Sequence, residues 1–309
     1  MKHFINLKDI ASKDLRKIIV DAKKRKSKRK KLNSLEVDKG APLKGKLLIQ
    51  MFEKSSLRTR LSFYLAIKQL GGSTLTLRAD ELHLSKGGES IEDTAKILSN
   101  FSNAFMLRTD NDKKLEEFKK YLSIPIINGL SPSSHPTQIL SDVFTVEEIK
   151  KKSISKLNIT WIGDSNNVLN SLIAASVKFA FKLNIACPMN YRPNKVILNY
   201  IKNNKNKIFF YHNPKIAVAG ADVIFSDKVI SMNDKGDKAK KLKYFEKFKI
   251  DQKLMSFAKK DCIFLHCLPR GKEVDEKVFS SKQSKVWQQA TNRIHVQKSI
   301  LLYCFGKLG

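Results

Sequence analysis

Arginine and hydroxyl side chains crowd one short stretch of this sequence. Ser56, Leu57, Arg58, Thr59 and Arg60 follow the apolar run 47–52 and open a helix-like segment that stops at Gly71-Gly72. Ser56 stands where a helix N-cap stands, so backbone N–H groups, hydroxyls and two guanidinium groups converge at one helix start, which is the chemistry of an anion site. The helix dipole contributes only ~0.3–1 kcal/mol at such a place. Guanidinium bonds to phosphate are charge-assisted, often bidentate, and about twice as strong as neutral ones. The arginines therefore decide the site. Taken alone, the string fits equally well a capped helix whose arginines are solvated. Other reactive groups follow: Arg108 closing an apolar run, His135-Pro136-Thr137-Gln138, Gly163-Asp164-Ser165-Asn166-Asn167, Asp227, Ser231-Met232, His266-Cys267-Leu268-Pro269 and Asn292-Arg293. Singly, His135 reads as a polar residue at a helix start and Cys267 as a small buried side chain.

Apolar patterning shows what must position these groups. Residues 8–31 read as an amphipathic helix and Lys39-Gly40-Ala41-Pro42 as the turn before a strand over 47–52. A helix over 57–70, a strand over 73–77, a polar loop over 80–90, a helical stripe from Ile91 to Phe101 and a strand over 104–107 follow. A helix over 113–121 and a strand over 124–128 continue the alternation, which implies a parallel sheet flanked by helices. Ligands of such sheets bind at the carboxyl ends of the strands. Ser56, Arg58, Thr59 and Arg108 fall at those ends. A helix running to about residue 151 then bridges to a second series: strand 157–162, helix 168–183, strands 184–187, 223–225 and 262–265, and a closing helix over 291–305. The expected class is α/β, with two doubly wound parallel-sheet domains joined by bridging helices. The first domain covers 1–140 and is completed by a C-terminal helix in 291–309; the second covers 141–290.

With 309 residues and 42% apolar content, the chain is long enough for two cores, and it contains no run of eighteen apolar residues. Its first residues lack an apolar signal core, and the four cysteines at 187, 262, 267 and 304 have no CxxC spacing. A soluble, cytoplasmic protein without a structural metal is expected. The net charge of +30 points toward polyanions, most strongly at Lys23-Lys24-Arg25-Lys26-Ser27-Lys28-Arg29-Lys30-Lys31. However, the lysine excess is spread over the whole chain, and that run carries no stacking aromatics and continues a helical pattern. It reads as a solvated helix end, with salt-sensitive, non-specific sticking rather than specific nucleic-acid binding. The segment 163–168 has one glycine where a dinucleotide fingerprint needs three, so no nucleotide cofactor is expected.

Taken together and in this order, the motifs resemble those of the carbamoyltransferases, over nearly the whole chain. Asn167, Ser231-Met232 and Cys267 resemble the ornithine branch of that family. The resemblance implies a first domain that binds carbamoyl phosphate, a second that binds L-ornithine, and a homotrimer with sites between subunits; it implies no cofactor, no membrane and no metal. It also implies roles. Ser56, Leu57 (through its N–H), Arg58 and Thr59 hold the phosphate, and Arg108 bridges phosphate and carbonyl oxygen. His135 donates to that oxygen, Gln138 orients the carbamoyl amide, Leu268 lies beside it, and Arg293 completes the pocket. Asn167 and the Met232 backbone take the ornithine carboxylate, Asp227 and Ser231 its α-amine, and Cys267 lies by the δ-amine. His83 reaches in from a neighbouring subunit.

These residue types suit the reaction chemically. Negative charge gathers on the carbonyl oxygen and the departing phosphate, and a preorganised donor aimed at such charge is worth about 2.7–4 kcal/mol. The attacking amine, with a pKa near ~10.4 in water, must lose a proton, and Cys267 and Asp227 are the candidates for that relay. Departures from the family pattern are Leu57 in place of a threonine, Val229 in place of an aromatic residue, Asn233 in place of a glycine, a shortened segment after Pro269, and Thr291 in place of a glutamate. Two alternatives stay open: a carbamoyltransferase for another amine, such as putrescine or a blocked ornithine, and a basic binding protein on an inactive scaffold.

Overall fold

Residues 47–52 become the strand β1 (Leu47–Phe52), buried at every position after Leu47. A continuous buried run is what a strand covered on both faces requires. The computed structural model describes residues 1–78, 88–204, 207–230 and 236–308. β1 pairs in parallel with β2 (Ser73–Arg78) and with β3 (Ala104–Arg108), and β3 pairs with β4 (Ile126–Leu130), giving the order β2-β1-β3-β4. The helices of this part are α1 (Ser12–Lys28), α2 (Leu57–Gln69), α3 (Ile91–Phe101), α4 (Asp112–Tyr121) and α5 (Pro136–Lys150). Between α3, α4 and the sheet sits a core of Ile49, Met51, Leu98, Phe105, Leu107, Leu115 and Phe118. Chain order reverses direction between β1 and β3, so the loops after these two strands flank the switch point where doubly wound sheets bind ligands.

The second sheet has the order β7-β6-β5-β8-β9, again all parallel, from β5 (Asn158–Ile162), β6 (Lys182–Ala186), β7 (Ile208–Tyr211), β8 (Val223–Ser226) and β9 (Ile263–His266). Its helices are α6 (Asn167–Phe179), α7 (Lys195–Asn203), α8 (Pro214–Val218), α9 (Lys238–Phe245), α10 (Gln252–Met255) and α11 (Glu276–Phe279). The last helix is α12 (Val286–Cys304). The chain divides into two compact units, Met1–Phe144 with Thr291–Gly309, and Thr145–Ala290. α5 and α12 are the helices that run across the boundaries. The α/β class expected from the sequence is the one found. Among the described residues, no helix is long and apolar enough to cross a membrane.

Several boundaries differ from the sequence reading. Residues 7–9 form a separate 3-10 turn before α1. α6 stops at Phe179 because Ala180 adopts a left-handed conformation (φ 55°), which releases residues 182–186 as a strand. α12 begins at Val286, five residues before the expected start at 291. β7 was not foreseen: it is a short edge strand, only partly buried, without the alternation of a half-covered sheet. The basic run is only in part the solvated helix end expected of it: Lys23, Lys24, Lys28, Lys30 and Lys31 are exposed, but three cations turn inward. Arg25 pairs with Asp21 at 2.8 Å, Arg29 with Asp38 at 2.5 Å, and Lys26 Nζ donates to Asn292 at 2.7 Å. Acids on α1 and the following loop, and the start of α12, draw these three cations inward. Buried Lys298 shares Asp38 with Arg29 at 2.9 Å.

Candidate active site

In the first unit, the site is built from the ends of β1 and β3. Phe52 and Arg108 are register partners, and the Glu53 N–H donates to the Arg108 carbonyl at 2.9 Å. The Glu53 carboxylate accepts from Thr109 Oγ1 (2.5 Å), the Asp110 N–H (3.2 Å) and Lys114 Nζ (2.5 Å), which ties the two loops together. Burial pushes its carboxyl up, but the Lys114 and Thr109 bonds outweigh burial and hold it below the usual carboxylate value. Ser56 has N-cap backbone geometry, yet its hydroxyl makes no capping bond, so no side chain at the N-cap takes up the first N–H groups of α2. Leu57 is exposed, and Thr59 directly after Arg58 is buried.

Thr59 Oγ1 accepts from Arg293 Nη2 at 2.8 Å; Arg293 Nη1 donates to Gln138 Oε1; Gln138 Nε2 donates to Asp142 Oδ1 at 2.8 Å. All four residues are at most 2% exposed. The approach to α5 is held by Asn128, whose Nδ2 donates to Ile5 O (3.1 Å), Ser131 Oγ (3.2 Å) and Ser134 Oγ (3.2 Å). Gly129 lies beside it, and a Cβ there would push against Met106 Sδ. This loop delivers His135, buried, just before α5. Burial lowers the His135 pKa well below the usual imidazole value, and the charges of Arg293, Arg108 and Arg58 lower it further. The ring is therefore neutral, with one N–H to donate, and three guanidinium groups act on it. Such a site suits a dianion that also carries a carbonyl oxygen. His83 lies outside the described residues.

In the second unit, the loops after β5, β8 and β9 meet. Asn166 caps α6, its Oδ1 accepting from the Val168 and Leu169 N–H groups at 3.0 and 3.1 Å, while its Nδ2 donates to Asp227 Oδ2 at 2.8 Å. Cys267 Sγ donates to Asp227 Oδ1 at 2.9 Å. The Asp227 carboxylate is thus held between Asn166 and Cys267. Asn167, the residue singled out in the sequence, opens α6 and is half-buried. Ser231 and Met232 lie outside the described residues, as does Asn233; Val229 is buried in the core of this unit. Burial pushes the thiols of Cys187 and Cys262 up to about 11 and about 12 and raises that of Cys304 as well. Cys267 differs from these three in being only half-buried.

The Cys267-Leu268 turn is clamped from behind. Leu268, in left-handed conformation (φ 59°), donates its N–H to His266 Nδ1 at 2.9 Å, so the ring proton sits on Nε2, which donates to Glu273 at 3.1 Å. The Gly271 N–H also reaches Glu273, at 2.5 Å, closing the short segment after Pro269. Burial raises the Glu273 carboxyl, but these two bonds outweigh it and leave its pKa below the usual value.

Comparison with known proteins decides what carries these two sites. Residues 2–148 match the family described as aspartate/ornithine carbamoyltransferase, carbamoyl-P binding domain, and residues 155–304 match the corresponding Asp/Orn binding domain. The chain belongs to the aspartate/ornithine carbamoyltransferase family. Curated relatives include ornithine carbamoyltransferases of Caulobacter vibrioides, 42% identical over 100% of this chain and 99% of theirs, and of Agrobacterium fabrum, 40% identical over 99% and 98%. Among solved structures, the anabolic ornithine carbamoyltransferase of Campylobacter jejuni is similar with a TM-score of 0.90 at 36% identity, covering 99% of this chain and 100% of that one. The Pyrococcus furiosus ornithine carbamoyltransferase gives 0.89 at 37%, covering 97% and 96%.

Within this carbamoyltransferase scaffold, sequence reasoning missed Asp142, Asn166, Asn128 and the His266–Glu273 pair. Asn166 carried a usable signal, since an asparagine one residue before an apolar helix is a favoured N-cap. An acid one turn after Gln138 reads from sequence as a solvated helix residue, and nothing local marks it.

Proposed function

We propose that this chain transfers the carbamoyl group of carbamoyl phosphate to the δ-amine of L-ornithine, giving L-citrulline and phosphate. The observation that carries the reading is the neutral, buried His135 acted on by Arg58, Arg108 and Arg293. Three guanidinium charges and a neutral N–H donor match the charge that develops on a phosphate leaving group and a carbonyl oxygen. In this reading Ser56, the Leu57 N–H, Arg58 and Thr59 bind the phosphate, Arg108 spans phosphate and carbonyl oxygen, and His135 donates to that oxygen. Gln138 meets the carbamoyl amide, with Leu268 beside it, and Arg293 anchors Thr59 and Gln138. Asn167 and Met232 receive the ornithine carboxylate, Asp227 and Ser231 its α-amine, and Cys267 stands by the δ-amine with Asp227 as its proton partner. The amine attacks the carbamoyl carbon directly, the C–O bond to phosphate breaks, and the amine proton leaves through the polar pair. No cofactor takes part.

We also propose a homotrimer in which His83 comes from the neighbouring subunit. An exposed apolar stripe on α2, formed by Leu57 (71% exposed), Leu61 (51%) and Tyr64 (38%), beside the edge strand β2, supports self-association through the first unit. A cytoplasmic step of arginine biosynthesis is the matching setting, in line with the anabolic relative from Campylobacter jejuni.

The deciding experiment offers ornithine, putrescine and aspartate in parallel with carbamoyl phosphate. Ornithine is expected to give citrulline with kcat/KM about 10⁴-fold or more above putrescine, because a site built to hydrogen-bond a carboxylate is left with unpaired buried atoms when the carboxylate is missing. Comparable values for putrescine would sink the ornithine assignment and leave carbamoyl transfer standing.

A further inference from the structure

We infer that Asp142 is a positioning residue that makes the site select a carbamoyl phosphate over an acyl phosphate, by fixing which way round the Gln138 side-chain amide lies. The inference rests on the carbamoyl phosphate reading above and deepens it. Gln138 stands between partners of opposite character. A guanidinium offers only donors and a carboxylate only acceptors. Arg293 Nη1 donates to Gln138 Oε1, and Gln138 Nε2 donates to Asp142 Oδ1 at 2.8 Å. Turning the amide over would set its NH₂ against the guanidinium and its oxygen against the carboxylate, replacing two hydrogen bonds with two repulsive contacts. Gln138 and Asp142 are 1% exposed and Arg293 2%, so water cannot make up the loss. One orientation therefore survives.

Both locking partners come from the protein, so the choice is made before substrate arrives. Asp142 sits one helical turn after Gln138 on α5, the spacing at which side chains meet. Gln138 Oε1 has two lone pairs, of which Arg293 takes one. The other is an acceptor for the carbamoyl –NH₂. A carbamoyl and an acetyl group differ only by NH₂ for CH₃ and have nearly the same size. Arginines that grip phosphate and carbonyl oxygen treat them alike, whereas a fixed acceptor does not: it gains a hydrogen bond from one and faces a methyl group in the other.

The test measures dissociation constants of carbamoyl phosphate and acetyl phosphate by titration calorimetry on the full chain, on Asp142→Asn, and on the exchange Gln138→Glu with Asp142→Asn. Asparagine can donate or accept, so in Asp142→Asn only Arg293 still holds the amide and one of the two locks is gone; the exchange again leaves one arrangement, with a carboxylate facing Arg293. The parent is expected to prefer carbamoyl phosphate by up to about tenfold, the difference one hydrogen bond between neutral groups makes. Asp142→Asn is expected to lose about half or more of that preference through weaker carbamoyl phosphate binding, with acetyl phosphate within about twofold of the parent. The exchange variant is expected to regain the preference. An unchanged ratio in Asp142→Asn, both affinities falling together, overturns the inference and leaves a merely structural acid. Loss of the ratio in the exchange variant also overturns it, and that variant decides alone if Asp142→Asn does not fold. A parent that binds neither phosphate ester removes the carbamoyl phosphate reading itself, which is a different result from a parent that binds both and variants that keep its ratio.

Discussion

The polar groups singled out in the first unit and those in the second differ in their degree of burial. In the first, Thr59, Gln138, Asp142 and Arg293 form one hydrogen-bonded chain sealed from solvent, and burial and cationic neighbours keep His135 neutral. In the second, Asp227 is held by a capping asparagine and a thiol, both only half-buried. A leaving phosphate needs fixed positive charge in a dry place, where it cannot be screened. A departing amine proton needs an exit, and an exit requires contact with water. On the proposed reading the two demands fall to different surroundings: charge stabilisation to the buried groups of the first unit, proton traffic to the half-buried pair of the second.

That contrast can be broken most directly by exchanging the sizes of the expected effects. Arg108→Ala should lower kcat by about 10²–10³-fold, as loss of a preorganised donor to developing charge does. Steady-state kinetics with ornithine saturating would measure this. A change confined to the apparent affinity for carbamoyl phosphate, with kcat intact, would mean that Arg108 binds the ground state only.

A smaller effect is expected in the second unit. Turnover at fixed ornithine should rise from neutral toward mildly alkaline pH, because the attacking amine is protonated in water up to about its pKa of ~10.4. Asp227→Asn and Cys267→Ser should flatten or displace that rise, with losses of roughly 10²-fold at neutral pH, the lower end of the range for positioned acid–base groups. pH–rate profiles identical to the parent in both variants would take these residues off the proton path. Labelling of Cys267 by carbamoyl phosphate would replace direct attack by a covalent route.

The smallest effect concerns stability. His135 has its folded-state pKa depressed by burial and by Arg293, Arg108 and Arg58. Above the unfolded value of ~6.5 both states carry a neutral ring, so there is no dependence on pH. Below it, the unfolded chain takes up a proton that the folded site resists, so stability falls as pH falls. His135→Gln should therefore lose less Tm than the parent between pH 7 and pH 5, by a few degrees in scanning calorimetry. Parallel Tm curves would show that the ring is protonated at no cost and that the site is less dry than its burial indicates.

Much of this architecture was legible in the residues. Apolar runs alternating with amphipathic stretches placed β1, β3 and the helices between them, and strand order then put Ser56 to Thr59 and Arg108 at carboxyl ends, because a buried parallel strand leaves a strong signal. What stayed hidden depends on partners far away in the chain. Within the otherwise exposed basic run, Arg29 and Lys26 looked solvated until Asp38 and Asn292 were placed beside them. Asn166 and Asn167 are the same residue type side by side, and only geometry tells which one caps α6 and holds Asp227. Asp142 looks like any helix surface acid until α12 lays Arg293 against Gln138.

α12 also gives the molecule a clock. Ribosomes deliver residues in order, at about 5–20 per second, and Arg293 follows Gln138 by 155 positions. The nascent first unit therefore emerges with Gln138 in place and waits about eight to thirty seconds for Arg293. During that interval the entire second unit is made. The Thr59–Arg293–Gln138 chain is among the last parts of the first unit to close, so a nascent chain that has emerged without α12 has the loop at 56–59 but not the guanidinium that ties it to α5.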